Sequence, residues 1–196
     1  MPRDTLAPLS DEALLVLYAN GDPAAARLLT ERLAPRVLAY GTRILGDRAE
    51  AEDVAQEALL RLWRVAPAWR QGEAQVTTWL YRVVTNLATD RLRARTRRRA
   101  DPLHDSPEPI DDQPGVEAGM IDADRMAALN SALQDLPERQ RQAVVLRHIE
   151  GLTNPEIAGI MDIGVEAVES LTARGKRALA AALAGQKATL GYEEGD

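Results

Sequence analysis

At 196 residues and 45% hydrophobic, the chain is long enough for one large or two small domains and too apolar for wholesale disorder. It has no cysteine, which excludes disulfides and thiol nucleophiles, and its two histidines, His104 and His148, leave little for a zinc site, so no metal, cofactor or catalytic residue is expected. No apolar run approaches the ~20 residues a membrane helix needs, and the opening MPRDTLAPLSDEALL lacks a basic-then-apolar leader, so a soluble, cytoplasmic chain is expected.

The net charge of −6 looks unsuited to nucleic acid, but it is unevenly spread. Residues 1–100 carry 16 arginines and 12 carboxylates, residues 101–124 carry eight carboxylates and no Lys or Arg, and residues 125–196 carry eight basic and ten acidic groups. The middle stretch, DPLHDSPEPIDDQPGVEAGMIDAD, combines four prolines with unrelieved like charge and reads as a flexible linker. An acidic tail, GYEEGD, closes the chain. The fold class expected is all-α: two small helical domains joined by the acidic linker, since apolar residues recur at three and four and alternating β-branched runs are absent.

A short first helix opens at Ser10, carries Leu14, Leu15, Leu17 and Tyr18, and stops near Asn20-Gly21-Asp22. A second runs from Pro23 to about Leu45, where Gly46-Asp47 breaks it. The third, about Ala49 to Val65, places Val54, Ala55, Ala58, Leu59 and Leu62 on a core stripe and Asp53, Gln56, Glu57, Leu60 and Arg64 on another face. That second face is either a solvated surface or a protein-binding patch, and an exposed Leu60 inside a polar rim favours the patch.

The loop PAWRQGEAQV follows, with Trp69 and Gly72, and then a fourth helix from about Thr77 to Arg99. Its expected core stripe is Trp79, Leu80, Val83, Val84 and Leu87, while Thr78, Arg82, Asn86, Asp90 and Arg93 share a different face. Six arginines then fall within nine residues, at positions 91, 93, 95, 97, 98 and 99. Solvated charge runs usually mix signs. A run of arginine alone suits forked phosphate contacts, and the adjacent loop could hold an unstacked base.

After the linker, LPERQRQAVVLRHIEGLTNPEIAGIMDIGVEAVESLTARGKRALAAAL reads as helix, turn, helix, turn, helix. Gly151 ends the first helix, and Thr153 with Glu156 makes a capping box. Pro155 lies in the first turn, and Ile157, Ala158 and Ile160 form a buried face. Asp162-Ile163-Gly164 makes a tight turn before a last helix from about Val165 through Leu183. A short helix, a tight turn and a longer helix is the helix-turn-helix layout, or else a plain helical hairpin.

The order of these segments resembles the extracytoplasmic-function group of bacterial RNA polymerase sigma factors, which keep only sigma regions two and four. DRAEAEDVAQEALLRLWR is similar to the family's core-polymerase-binding stretch, TWLYRVVTNLATDRLRAR to its promoter-melting and minus-ten-reading stretch, and LPERQRQAVVLRHIEGLTNPEIAGIMDI to the opening of region four. The resemblance implies region two over residues 1–100, the linker over 101–124, region four over 125–184 and the tail over 185–196. It also implies that Asp53, Gln56, Glu57, Leu60 and Arg64 meet the beta-prime clamp. Trp69, Arg70, Gln71, Trp79, Arg82, Asn86, Asp90, Arg91, Arg93 and Arg95 would hold minus-ten DNA, with a base flipped into the loop.

Glu166, Ala167, Glu169, Ser170, Thr172, Arg174, Lys176 and Arg177 would face the minus-thirty-five duplex, and region four would also meet the beta flap. Where family members carry threonine-valine-lysine-serine-arginine, this chain has Ala167, Val168, Glu169, Ser170 and Leu171. Glu169 is therefore either an acceptor for a cytosine amino group or a solvent-facing residue, and Leu171 either packs or meets a thymine methyl. An anti-sigma partner is expected to occlude the free protein, and the linker's charge to mimic nucleic acid within the polymerase. The competing reading is a helix-turn-helix regulator that works without polymerase. A nucleic-acid enzyme ranks below both, because its metal-binding carboxylate cluster or nucleophile is missing from these patterns.

Overall fold

The computed structural model describes residues 6–70, 72, 75–99 and 120–184. Among these residues there are helices and turns and no strand: α1 (Asp11–Ala19), α2 (Pro23–Leu45), α3 (Arg48–Val65), α4 (Val76–Arg99), α5 (Met120–Gln134), α6 (Glu138–Val144), α7 (Asn154–Met161) and α8 (Val165–Ala184). A 3-10 turn at Ala66–Ala68 follows α3, and a π-turn at Val145–Ile149 follows α6. The fold is all-α. The chain divides into two compact units, Met1–Thr42 with Arg48–Thr96, and Arg43–Asp47 with Arg97–Asp196. The acidic stretch 101–119 and the tail 185–196 lie outside the described residues, and the first turn of α5, from Met120, falls inside the segment read as linker.

In the first unit the helix starts and stops follow local chemistry. Ser10 Oγ accepts from Ala13 N–H at 3.2 Å and caps α1, while Gly21, at φ +92°, supplies the left-handed turn after it. Asp22 Oδ1 accepts from Ala24 N–H at 2.9 Å and caps α2. Along α2, Ala25, Leu29, Leu33, Val37 and Tyr40 recur at four, four, four and three, and all are buried. Pro35 lies within α2 on its exposed side, where its ring meets solvent rather than a neighbouring helix.

Of the two expected core stripes, that of α3 holds except for one residue and that of α4 is rotated. On α3 the buried residues are Ala51, Val54, Ala55, Ala58 and Leu62, with Leu59 only half-buried. On α4 they are Val76, Leu80, Tyr81, Val84, Thr85 and Ala88, whereas Trp79, Val83 and Leu87 are half-buried. A polar pair explains the rotation. The Tyr40 and Thr85 hydroxyls lie 2.7 Å apart, Thr85 Oγ1 donates to the Tyr81 carbonyl at 2.7 Å, and the Tyr40 and Tyr81 rings stack edge to face at 5.1 Å. With their hydroxyls satisfied, Tyr40 and Thr85 can occupy the core, a possibility that apolar periodicity does not register.

The second unit builds its core from Leu133, Leu136, Ala143 to Leu146, Leu152, Ile157, Ile160, Met161 and Val168. Helix α5 is absent from the sequence expectation because its apolar residues do not gather on one face. Helix α6 widens into the π-turn, where Glu150 N–H donates to the Val145 carbonyl and Leu152 N–H to the Leu146 carbonyl, both at 3.0 Å, before Gly151 at φ +75° ends it. On α7, Met161 takes the buried place expected of Ala158, which is half-buried. The turn into α8 places Asp162, not Gly164, in the left-handed region, at φ +52°. Asp tolerates that conformation better than most residues with a side chain.

Candidate functional site

Asp53, Gln56, Glu57, Leu60 and Arg64 share one surface of α3. All are exposed except Glu57, which is half-buried. Leu60 is 42% exposed, one of four large apolar side chains so placed among the described residues. Arg61 Nε donates to Glu57 Oε1 at 2.8 Å, and that hydrogen bond, with the charges of Arg61 and Arg64, holds the Glu57 carboxyl below the usual carboxylate range. The surface is thus an apolar centre bordered by ionised and hydrogen-bonding groups, the composition of a protein interface rather than of a catalytic cleft.

The neighbouring face of α4 carries Arg82, Asn86, Asp90 and Arg93, all exposed at helical spacing. The structure divides the arginine run behind them. Arg91 Nη1 lies 3.4 Å from Asp53 Oδ2, and Arg95 donates from Nε to Glu50 Oε1 at 3.0 Å while Nη2 sits 3.0 Å from Oε2. These two arginines tie α4 to α3, whereas Arg93, Arg97 and Arg98 are exposed. Arg91, Arg93 and Arg95 are expected together among the minus-ten contacts, and the sequence gives no ground for telling them apart. Only the packing of α4 on α3 separates the tethering pair from the rest.

Trp69 is half-buried with its ring edge to face with Trp79 at 6.1 Å, and its indole nitrogen is shielded from solvent. Arg70 is exposed, while Gln71 lies outside the described residues. The loop carries Gly72 at φ +90° with open space around it. The two tryptophans therefore form an aromatic wall where the loop meets α4.

In the second unit the capping box is present, with Glu156 Oε2 accepting from Thr153 Oγ1 at 2.6 Å and from Thr153 N–H at 2.8 Å. Both bonds lower the Glu156 carboxyl pKa. They fix the start of α7. On α8, Val168 and Gly175 are buried, and Glu166, Ala167, Glu169, Ser170, Arg174, Lys176 and Arg177 are exposed. Thr172 is half-buried and its hydroxyl is shut off from solvent, so it faces the protein. Leu171 is half-buried as well. Glu169 Oε1 accepts from Asn154 Nδ2 at 3.4 Å, an intramolecular partner that the sequence did not suggest.

Two basic groups escaped the sequence reading. Arg147 donates from Nη1 to the Leu152 carbonyl at 2.8 Å, and His148 beside it lies close enough to Lys176 of α8 to be affected by its charge. Burial, Lys176 and Arg147 together push the His148 pKa down and favour the neutral ring. Arg147 of the π-turn thus adds to the cationic surface near the middle of α8, while His148 adds a neutral ring beside it.

Two family models match this chain: Sigma-70 region 2 over residues 29–98 and Sigma-70, region 4 over residues 126–179. The RNA polymerase sigma-H factor of Pseudomonas aeruginosa is 33% identical over 181 residues, covering 88% of this chain and 93% of the relative. The chain belongs to the extracytoplasmic-function sigma factors. The sigma-E factor of that group from Haemophilus influenzae is 34% identical over 170 residues, covering 83% and 89% of the two chains. The fold of the sigma factor matches solved RpoE of Bartonella quintana, bound to the anti-sigma factor NepR, with a TM-score of 0.69 at 20% identity over 81% of this chain and 96% of that one. It also matches CnrH in complex with the cytosolic domain of CnrY, with a TM-score of 0.62 at 24% identity over 89% and 97%.

The sigma factor is a transcription initiation factor. Its region-two match takes in α3, nearly all of α4 and most of α2, and its region-four match runs from within α5 through the greater part of α8. Helix α1 precedes both. No helix among the described residues is long and apolar enough to cross a membrane.

Proposed function

We propose that this sigma factor docks on core RNA polymerase through Asp53, Gln56, Glu57, Leu60 and Arg64, with the beta-prime clamp as the acceptor. Residues 1–100 act as region two, 101–124 as a linker, 125–184 as region four and 185–196 as an acidic tail. Trp69, Arg70, Gln71, Trp79, Arg82, Asn86, Asp90 and Arg93 capture the opened minus-ten strand, and Arg91 and Arg95 support them from the α3 side. Region four meets the beta flap and reads the minus-thirty-five duplex through Glu166, Ala167, Glu169 and Ser170, with Arg174, Lys176 and Arg177 on the backbone and Thr172 packed beneath. The protein acts in the cytoplasm as a non-enzymatic specificity subunit, and an anti-sigma protein controls it, as NepR and CnrY suggest by their complexes with RpoE and CnrH.

One observation carries this reading: a Leu60-centred protein surface on α3 lies beside the exposed Arg82–Asn86–Asp90–Arg93 face of α4 in one compact unit. A protein that coupled polymerase binding to strand capture would need both surfaces on one rigid body. Purified core polymerase with the sigma factor on genomic fragments should give defined transcription starts. Leu60→Asp should abolish core binding and initiation while leaving thermal unfolding within about 0.5 kcal/mol, since an exposed side chain contributes little to the fold. Tight, specific duplex binding by the chain alone, with no starts when core is added, would overturn the proposal in favour of a polymerase-independent regulator.

A further inference from the structure

Helix α1 lies outside both family matches, yet it touches both ends of the connection between α3 and α4. At the α3 end it packs on the 3-10 turn Ala66–Ala68, and Tyr18 meets the Trp63 ring edge to face at 4.8 Å. At the α4 end, Glu12 Oε1 accepts from the backbone N–H of Val76 at 3.1 Å, across 64 residues of sequence. Helix α1 is itself well anchored: Leu14 and Leu15 are fully buried, and Arg32 of α2 donates to the Leu9 carbonyl at 2.8 Å and to Asp11 Oδ1 at 3.0 Å.

Val76 is the first residue of α4, and its N–H is one of the four donors that a helix start leaves without an intrahelical partner. Normally the residue just before the helix supplies the cap. Here that residue is Gln75, whose carbonyl accepts from Trp79 N–H at 3.0 Å, while the acidic cap comes from another helix. A carboxylate at this end of α4 both satisfies the donor and complements the helix dipole. The hydrogen bond is partly buried and Val76 is fully buried, so water is poorly placed to substitute. Burial pushes the Glu12 carboxyl up, but the N–H groups of Glu12 itself and Val76 and the Ser10 hydroxyl outweigh it and hold the group ionised.

We propose that Glu12 is a positioning residue for strand capture: by capping α4 from α1 it fixes where α4 begins, and with it the azimuth at which Trp79, Arg82 and Asn86 meet the opened minus-ten strand. The proposal rests on the minus-ten reading of α4 given above. Glu12 touches no DNA in this role. It acts one turn before Trp79, and a helix start that frays by one turn would release the Trp69–Trp79 wall. Helix α1 thereby becomes a brace for the DNA-reading helix, not simply a lid on the core.

The test is promoter opening by the holoenzyme, followed by permanganate reactivity of minus-ten thymines and by 2-aminopurine fluorescence. Glu12→Ala should lower the extent of opening about threefold to tenfold, the range expected for loss of one helix cap. Glu12→Gln, which keeps an acceptor, should stay within about twofold of the parent. Core affinity and minus-thirty-five duplex binding should be unchanged in both. Asp22→Ala, which removes the comparable cap of α2, controls for general loss of stability and should leave opening intact. If Asp22→Ala impairs opening as much as Glu12→Ala, if Glu12→Gln is as poor as Glu12→Ala, or if Glu12→Ala opens like the parent, the positioning role is wrong. A parent holoenzyme that binds core but never opens a promoter would refute the minus-ten reading itself, which separates the two failures.

Discussion

Gly175→Ala sets two opposed terms against each other. Alanine in place of a mid-helix glycine should stabilise α8 by about 1 kcal/mol through backbone entropy. A Cβ at position 175, however, would lie 2.5 Å from Val144 Cγ2, 3.2 Å from the Gln140 carbonyl oxygen and 3.3 Å from Gln140 Cβ. Carbon atoms pack best near about 3.5–4.0 Å, so the Val144 contact cannot stand. Val144 has little freedom to yield, because it is β-branched, helical and 2% exposed, and the Gln140 oxygen belongs to the backbone of the same helix. Overpacking of this kind costs about 1–3 kcal/mol, so against the gain of about 1 kcal/mol the net loss from the second unit is about 0–2 kcal/mol, and the 2.5 Å contact with a side chain that cannot yield puts it in the upper half of that range.

Trp63, Trp69 and Trp79 all lie in the first unit, so far-UV circular dichroism reports both units while tryptophan fluorescence reports the first alone. Gly175→Ala should lower the second-unit transition seen by dichroism by roughly 4–8 °C for each kcal/mol and shift the fluorescence transition less. Val144→Ala removes the methyl groups in the way. In that background Gly175→Ala should be neutral or stabilising by up to about 1 kcal/mol, a favourable coupling in a double-mutant cycle. A Gly175→Ala protein as stable as the parent, or a cycle without coupling, would refute the close-packing argument.

Three further outcomes follow from the same structure. The capping-box carboxylate of Glu156 has a depressed pKa, so its contribution is present above the usual carboxylate value of about 4.3 and is lost as pH falls through the folded-state value. Glu156→Gln should therefore be less stable than the parent by about 0.5 kcal/mol at pH 7, and urea titrations of the two should converge as pH falls below the usual carboxylate range. Arg93→Ala in the holoenzyme should reduce the slope of log affinity against log salt for minus-ten single strand by about 0.7, whereas Arg95→Met should leave the slope alone and lower stability by about 1–2 kcal/mol by removing both contacts to Glu50. Asp162→Val should destabilise the second unit by about 1–2 kcal/mol, while Asp162→Gly should be at least as stable as the parent, because position 162 sits at φ +52°. Chemical denaturation of each variant decides the last case.

Much of the architecture was legible in the amino-acid order because its causes are local. Ser10, Gly21, Asp22, Gly46, Gly151 and the Thr153–Glu156 pair act within a turn of themselves, and α1 to α4 begin and end within a residue or two of the expected places. The exposed face of α3 was equally readable, since helical spacing alone brings Asp53, Gln56, Leu60 and Arg64 together. Helix α5 was not, because its apolar residues favour no one face and its burial depends on what surrounds it.

What tertiary structure alone decided was the choice among chemically equivalent groups. Six arginines near the end of α4 look alike in sequence, and only the arrival of Glu50 and Asp53, 45 and 38 residues away, ties Arg95 and Arg91 to α3. Thr85 enters the core because Tyr40 meets it there, Gly175 must be glycine because Val144 is opposite, and Glu12 matters because Val76 starts a helix beside it. Local interactions set which residues are helical. Which polar side chains hold the helices together, and which remain free for polymerase and DNA, depends on partners brought close by packing, and residue spacing carries no record of those partners.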